Sequence, residues 1–273
     1  HGDTTTTFAA SLAAFYQQIP VGHVEAGLRT YEKYAPFPEE MNRQLTGVLA
    51  DYHFAPTEQA AMNLRAENKQ TPIIVTGNTV IDALKTTVSP TYTHPVLTRL
   101  EKSGRKLVLL TVHRRENHLQ LATIFDAIER LANDHPEIEI VYPVHPNPVV
   151  LEAAARLEHH PRIQLIEPLD VFDFHNLAAR ASFILTDSGG IQEEAPSLGV
   201  PVLVLRETTE RPEGVEAGTL KLVGTNPEMI YTMSHRLLTD QEFYQSMAQA
   251  ANPYGDGQAA ERIVDAIMSE VPV

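Results

Sequence analysis

Short apolar segments alternate with helical patterns along almost the whole chain, and this alternation constrains the fold more than any other feature. The apolar segments predict strands at 21–25, 52–56, 72–77, 106–113, 138–145, 163–168, 183–188, 201–206 and 220–224. Helical patterns lie at 4–18, 38–51, 57–67, 79–87, 118–134, 147–159, 171–181, 190–198, 226–239, 241–249 and 258–270. Strands this apolar are typical of a parallel sheet covered by helices on both faces. We therefore predict an α/β fold.

Segment 89–104, with Pro90, Pro95 and Ser103-Gly104, has the composition of a linker and divides the chain unequally. Six predicted strands follow it, enough for a complete doubly wound domain at 105–251. Only three precede it, at 1–88, and that part opens with a helix. A first domain of similar build would need about three more strands upstream, roughly 80–100 residues. We expect the chain to be the C-terminal part of a larger two-domain protein; the alternative is a naturally small first domain.

Composition excludes several functional classes. The 273 residues include no cysteine, which excludes disulfides, cysteine-ligated metals and thiol nucleophiles and is typical of a cytoplasmic protein. The formal net charge of −14 argues against non-specific nucleic-acid binding. No apolar run approaches the roughly 18 residues of a membrane helix. A small anionic ligand remains compatible with this charge if local positive groups surround it.

Polar side chains recur where the predicted strands end. Ligands of open α/β sheets bind at the carboxyl ends of the strands. The groups found there are Asp3, Glu25, His113 with Arg114 and Arg115, His145, Asp187 with Ser188, and segment 206–211. Each alone is explained by a helix cap or a surface hydrogen bond. Together they predict a ligand cleft between two domains.

The segment TDSGGIQEEAPSLG (186–199) carries the sharpest local signal. Ser188-Gly189-Gly190 forms a tight turn between a strand and a helix, where backbone N–H groups and the helix dipole favour a phosphate. Glu193 and Glu194 suit a helix N-terminus, but one of them would also bind ribose hydroxyls. Arg211 either neutralises a diphosphate or makes an ordinary surface ion pair.

Several nucleotide and metal motifs are absent. The sequence has no GxxxxGKS/T, no GxGxxG after a strand and no HEXXH. The expected nucleotide is therefore neither a hydrolysed triphosphate nor a dinucleotide, and no metal is expected.

A second set of acidic residues lies in the first part of the chain. Pro38-Glu39-Glu40 opens a helix, where proline and glutamate are favoured in any case. Alternatively, Asp3, Glu25 and Glu39 present carboxylates to a ligand held by the other domain. Carboxylates that face one another in a closed cleft have separated pKa values, which suits acid/base chemistry.

Taken together, the motifs resemble those of one family over the whole chain and in the same order. They are HGDTTTT, GHVEAGLRT, PEEMNR, GNTVIDAL, HRREN, PVHPNP, TDSGGIQEEAPSLGVPVLVLRETTERPE and NPYGDGQA. The family is that of the non-hydrolysing bacterial UDP-N-acetylglucosamine 2-epimerases. The resemblance implies two Rossmann-like domains of the glycosyltransferase-B type, with a C-terminal helix at 252–273 that crosses back to the first. It also implies an upstream strand and GTRPE turn, so the first domain is N-terminally incomplete here.

The resemblance further implies the reaction. Members interconvert UDP-GlcNAc and UDP-ManNAc by removing the C2 proton and releasing UDP, which gives 2-acetamidoglucal, and by adding UDP back after reprotonation on the other face. No nicotinamide or other cofactor is needed. The product supplies ManNAc for bacterial surface polysaccharides, and members are often homodimers. Some are activated by a second UDP-GlcNAc, for which Arg114 and His145 are the matching contacts.

Residue roles follow from the same match. Asp3, Glu25 and Glu39 are the acid/base carboxylates, since two faces of one carbon must be protonated. His113 lies at the phosphate and leaving-group oxygen. The remaining binding residues are Ser188, Gly189 and Gly190 for the diphosphate, Glu194 for the ribose, Arg211 for a phosphate or nearby polar group, and Phe174 with the backbone of Leu169 for the uracil.

Two rival interpretations remain at this stage. A glycosyltransferase of the same architecture would also bind a UDP-sugar, and fold alone does not separate the two. The three matched carboxylates favour epimerisation, because a transferase has no need to act at C2. The third interpretation is a fragment that binds UDP without turnover.

Overall fold

A computed structural model describes residues 1–270, and for Glu270 it describes the backbone alone. The last three residues of the predicted C-terminal segment 252–273 lie outside the described part. The chain forms two compact units. One comprises His1–Lys85 together with the residues from 253 onward, and the other comprises Thr86–Asn252. None of the helices within residues 1–270 has both the length and the apolar character needed to cross a bilayer.

The first unit contains a three-stranded parallel sheet in the order β1-β2-β3. Its elements are α1 (Thr5–Tyr16), β1 (Gly22–Val24), α2 (Glu39–Leu49), β2 (Tyr52–Ala55), α3 (Glu58–Ala66), β3 (Ile73–Val75), α4 (Thr79–Thr87), whose last two residues are counted with the second unit, and α13 (Ala259–Glu270). The C-terminal helix is attached here by side chains of the first unit. Asp82 accepts hydrogen bonds from the N–H groups of Ala259 and Ala260, and Arg262 Nη1 donates to the Thr76 carbonyl at 3.0 Å.

The second unit contains a six-stranded parallel sheet in the order β6-β5-β4-β7-β8-β9. Its elements are α5 (Pro95–Ser103), β4 (Lys106–Thr111), a 3-10 helix (Arg115–Gln120), α6 (Leu121–Asp134), β5 (Ile138–Pro143), α7 (Pro148–Ala154), a 3-10 turn (Ala155–Leu157), β6 (Ile163–Ile166), α8 (Val171–Ala178), β7 (Ala181–Thr186), α9 (Ile191–Ser197), β8 (Val202–Val204), α10 (Pro212–Glu216), β9 (Leu220–Leu222), α11 (Pro227–Thr239) and α12 (Gln241–Ala248). The strand order reverses between β4 and β7, which is where ligands bind in doubly wound sheets.

The central strands are apolar on both faces because each face has its own core. Val108 and Leu110 of β4 pack into the cluster that contains α6, whereas Leu107 and Leu109 pack into the opposite cluster with α5 and α8. Side chains of a strand point alternately to the two faces, so burying both faces requires an unbroken apolar run. This requirement explains why the sequence pattern predicted a parallel sheet.

The segment 89–104, interpreted from sequence as a linker, contains the helix α5. His94 caps its N-terminus by accepting the Val96 N–H, and Pro95 occupies the first turn, where its missing N–H costs nothing. Gly104, at φ +68°, ends the helix in the left-handed conformation that glycine tolerates. Val96 and Leu100 are buried. The proline and glycine that indicated a linker are therefore the signals of a helix start and stop.

Two buried histidines lie side by side in the first unit. His23 of β1 pairs in register with His53 of β2. A ring nitrogen of His23 bonds the Gly2 carbonyl at 2.8 Å, while neither ring nitrogen of His53 has a hydrogen-bond partner among the described residues. Burial, with a smaller contribution from the positive charge of Arg29, lowers the pKa of each to about 4.

We expect these histidines to make the protein acid-sensitive. Their pKa in the unfolded chain is about 6.5, so the unfolded state binds more protons than the folded state between pH 6.5 and pH 4. The stabilisation is complete above pH 6.5 and decreases by up to about 1.4 kcal/mol per pH unit for each histidine as the pH falls to 4. Urea unfolding at pH 7 and pH 5 measures it. His53→Gln should show a shallower pH dependence than the parent, and equal slopes would contradict the assignment.

Candidate functional site

The three predicted acid/base carboxylates lie in the first unit on neighbouring segments. The Gly2 N–H donates to the Val24 carbonyl at 3.0 Å, so the residues that precede Asp3 and Glu25 are hydrogen-bonded. Asn42, on the helix that Glu39 begins, donates to the Asp3 carbonyl at 3.0 Å. These two hydrogen bonds, one between backbone groups and one from the Asn42 side chain, hold the starts of α1 and α2 and the end of β1 together.

Glu25 is held in an uncommon conformation directly after β1. Its φ is +66°, in the left-handed region that residues other than glycine rarely adopt. Oε1 accepts a hydrogen bond from Asn78 Nδ2 at 3.0 Å. A Cβ on Gly2 would lie 3.0 Å from Oε2, so glycine at that position leaves room for the carboxylate. Backbone strain that the surroundings maintain is frequent at functional sites, and it favours a functional interpretation of Glu25.

Asp3 is anchored by a buried arginine. Arg43 Nη2 donates to Asp3 Oδ2 at 2.8 Å, and the guanidinium is almost fully buried. Arg43 Nη1 lies 3.8 Å from Glu40 Oε2 on the same helix. Asp3 therefore has a fixed position and a nearby counter-charge. The sequence did not identify Arg43 or Asn78 as site residues, although both belong to the motifs PEEMNR and GNTVIDAL.

The adjacent glutamates at the start of α2 have different environments. Glu40 is fully buried, and its carboxylate accepts the N–H groups of Thr30 and Tyr31 at 3.1 and 3.2 Å. Glu39 Oε2 is buried without a hydrogen-bond partner among the described residues. Glu40 therefore fixes the loop after β1, whereas this oxygen of Glu39 is not tied to the backbone of the loop.

In the second unit, the predicted glycine turn follows β7. The Ser188 N–H donates to Thr186 Oγ1 at 2.9 Å, and α9 begins at Ile191. A Cβ on Gly189 would lie 2.6 Å from Arg211 Nη1 and 2.8 Å from Glu210 Oε1. A larger residue there would displace the Arg211 and Glu210 side chains, because the turn packs directly on them.

Arg211 is a buried brace of this turn. Its Nε donates to Glu193 Oε1 at 2.5 Å and its Nη1 donates to Glu210, and all three residues are buried. The alternative of an ordinary surface ion pair is therefore wrong. A contact between Arg211 and a phosphate stays a prediction.

A cavity of about 320 Å³ opens at the carboxyl edge of this sheet. Its lining is Thr111, His113, Pro143, His145, Pro168, Leu169, Asp170, Val171, Phe174, His175, Ser188, Ile191 and Glu194. It thus brings together six of the predicted residues, whereas Gly189, Gly190, Arg114 and Arg211 are not part of its lining. A larger groove of about 780 Å³ is lined only by residues of segment 93–103 and contains none of the predicted site residues.

Within the cavity, Glu194 is the acidic residue of α9 available to a ligand. Glu193 is fully buried against Arg211, while Glu194 is partly exposed and its Oε2 lies 3.4 Å from His175 Nε2. The local pattern left the choice between the two glutamates open and the resemblance named Glu194; of the two, Glu194 is the one that lines the cavity.

His113 and His145 form a stacked pair in the same cavity. Their ring centroids are 5.2 Å apart and the planes differ by 14°. Burial lowers the pKa of His113, Asp187 opposes this effect, and Arg114 and His145 add to it. A bound phosphate would raise the pKa again, because a negative charge favours the imidazolium form. Within residues 1–270, no group of three His, Asp or Glu side chains is arranged to hold a metal ion.

Comparisons with known proteins agree with this geometry. The family model described as UDP-N-acetylglucosamine 2-epimerase matches residues 1–268. The UDP-N-acetylglucosamine 2-epimerase of Bacillus subtilis is 62% identical over 271 residues, which are 98% of this chain and 71% of that protein. Among solved structures, the S. aureus MnaA-UDP co-structure is 56% identical with a TM-score of 0.95, and the match covers 100% of this chain and 76% of that one. UDP-GlcNAc 2-epimerase from Neisseria meningitidis bound to UDP-GlcNAc is 49% identical with a TM-score of 0.93, over 99% and 75%.

These matches confirm the predicted fold class, an α/β fold with two Rossmann-like domains of the glycosyltransferase-B type. They also confirm the resemblance that the motifs indicated. The chain belongs to the UDP-N-acetylglucosamine 2-epimerase family.

Proposed function

We propose that this epimerase interconverts UDP-GlcNAc and UDP-ManNAc by eliminating and re-adding UDP through 2-acetamidoglucal. The observation that carries the proposal is the cavity of the second unit. It combines an aromatic ring, a carboxylate, a histidine and Ser188, the first residue of the glycine turn, and these are groups that a base, a ribose and a diphosphate need.

Phe174 and the backbone of Leu169 flank the uracil, and Glu194 accepts hydrogen bonds from the ribose hydroxyls. Ser188 and the N–H groups of Gly189 and Gly190 hold the diphosphate, and Arg211 either contacts a phosphate or acts only as the brace described above. His113 stabilises charge on the departing phosphate oxygen. The UDP and UDP-GlcNAc in the two solved relatives support a ligand of this class.

The carboxylates of the first unit supply the proton chemistry. A carboxylate takes the C2 proton, the bond from C1 to the UDP oxygen breaks, and a double bond forms between C1 and C2. A carboxylic acid then protonates C2 from the opposite face while the UDP oxygen rebonds to C1. Two faces require two groups, and Asp3, Glu25 and Glu39 provide them. The positive φ of Glu25, and the Glu39 Oε2 that has no hydrogen-bond partner among the described residues, support the inclusion of both glutamates in this set.

Isotope exchange separates this reaction from sugar transfer. Full-length protein incubated with UDP-GlcNAc in heavy water should place deuterium at C2 of both UDP-sugars with no acceptor present. Proton NMR of the C2 signals measures the exchange. A glycosyltransferase, or a protein that only binds UDP, would leave C2 fully protonated.

The same proposal includes location and assembly. We infer a cytoplasmic homodimer that supplies ManNAc for surface polysaccharide. The absence of cysteine supports the cytoplasmic location. The exposed apolar side chains of Phe15, Tyr16 and Ile19 support the homodimer. Arg114 and His145 are the proposed contacts of a second UDP-GlcNAc; His145 lines the cavity, and Arg114 Nε has no hydrogen-bond partner among the described residues.

A further inference from the structure

Asp187 is a fully buried carboxylate at the end of β7, next to the glycine turn. Its own N–H donates to the Thr111 carbonyl at 3.1 Å, which fixes it at the carboxyl end of β4. It has no role in the acid/base set or in the ligand contacts described above. A buried charge needs compensation, so its partners indicate what it does.

The partners of Asp187 all belong to the segment that carries His113. The N–H of His113 donates to Asp187 Oδ2 at 3.0 Å, and the N–H of Arg114 donates to the same oxygen at 2.8 Å. Asn117 Nδ2 adds a third donor at 3.0 Å and also donates to the Leu205 carbonyl at 2.9 Å. Hydrogen bonds from N–H groups to an ionised carboxylate are strong, so they fix the backbone of this segment.

Asp187 also faces the imidazole of His113. The distance from Oδ1 to Nδ1 is 3.7 Å, too long for a hydrogen bond and short enough for an ion contact. The other charged or titratable groups around the ring are Arg114 and His118 on its own segment and His145 stacked against it, and each disfavours protonation. Among these groups, Asp187 is the one whose charge favours the imidazolium form.

We propose that Asp187 is the positioning residue of His113: its carboxylate fixes the backbone of the histidine and keeps a negative charge behind the ring, so that the imidazole carries a proton toward a ligand phosphate. This inference rests on the proposed role of His113 at the phosphate. A neutral residue of the same shape would preserve the packing while removing the charge.

The test is a titration of His113 in Asp187→Asn. With histidine labelled at ¹³Cε1, NMR follows the His113 ring, which is assigned by its loss in His113→Gln. We expect the midpoint in the ligand-free protein to fall by about one pH unit relative to the parent. The limb of the kcat/KM profile that declines with rising pH should move to lower pH by the same amount. Asn117→Ala is the matched control, because it removes one hydrogen bond from the same carboxylate but keeps the charge, and its midpoint should stay at the parent value.

A purely structural role predicts a different result. Asp187→Asn would then reduce activity uniformly with pH and leave the His113 midpoint in place, which would overturn the inference. If the variant does not fold, the carboxyl ¹³C signal of Asp187 in the parent protein replaces it: an inflection at the His113 midpoint supports the contact, and a flat signal refutes it. Both titrations use ligand-free protein, so they stand even if no C2 exchange is found.

Discussion

Glu25→Gln should abolish epimerisation while leaving UDP binding intact. The substitution removes a proton acceptor but keeps nearly the same volume, and the amide still bonds the Asn78 side chain. General acid–base catalysis contributes about 10²–10⁴-fold, so we expect kcat to fall by that factor. The Kd for UDP should change by less than about twofold, because the proposed nucleotide contacts belong to residues 105–251.

Steady-state kinetics and calorimetric titration with UDP measure the two effects. Glu32→Gln is the matched control, since Glu32 is an exposed glutamate of the same segment with no assigned role. Deuterium incorporation at C2 should disappear in Glu25→Gln and persist in the control. Normal kinetics in Glu25→Gln would remove this residue from the acid/base set, and a parallel loss of UDP affinity would show that it binds ligand instead.

The strands were predictable because their cause is local. Each predicted strand is present in residues 1–270, and the structure mainly shortens the ends, as where 21–25 becomes Gly22–Val24. A strand buried on both faces must be apolar throughout, and that requirement is visible in one short window of sequence.

The helix α5 was missed because prolines and glycine were interpreted as helix breakers rather than as caps. Its Val96 and Leu100, one helical turn apart, were the signal of a buried helix face.

The partners of the site residues could not be predicted from local patterns. Arg43 pairs with Asp3 forty residues away, and Asn117 reaches Asp187 across 70 residues. Two adjacent glutamates are equivalent in a sequence pattern at a helix start, yet Glu40 is fixed by backbone amides and Glu39 is not. Family motifs indicate which residues matter, but only tertiary packing separates a residue that contacts the ligand from one that supports it.

For Arg211, the difference between contacting the ligand and supporting the site has an energetic consequence that can be measured. Its guanidinium compensates two carboxylates, those of Glu193 and Glu210, beneath the glycine turn. Removing one member of a buried ion group leaves uncompensated charge and typically costs about 3–5 kcal/mol. We therefore expect Arg211→Met to lower the free energy of unfolding by about that amount, in addition to weakening UDP binding.

Arg156→Met is the matched control, because Arg156 also pairs with two carboxylates, Asp126 and Glu129, but at the surface of the same unit. Exposed pairs contribute about 0–1 kcal/mol, so this variant should unfold nearly like the parent. Urea unfolding measures stability and calorimetry measures the Kd for UDP. If Arg211→Met lost UDP affinity but unfolded like Arg156→Met, Arg211 would be a ligand contact rather than a brace. Loss of both stability and UDP affinity in Arg211→Met indicates that the glycine turn depends on this ion group for its shape. The sequence ERPE would then be needed for folding as well as for binding.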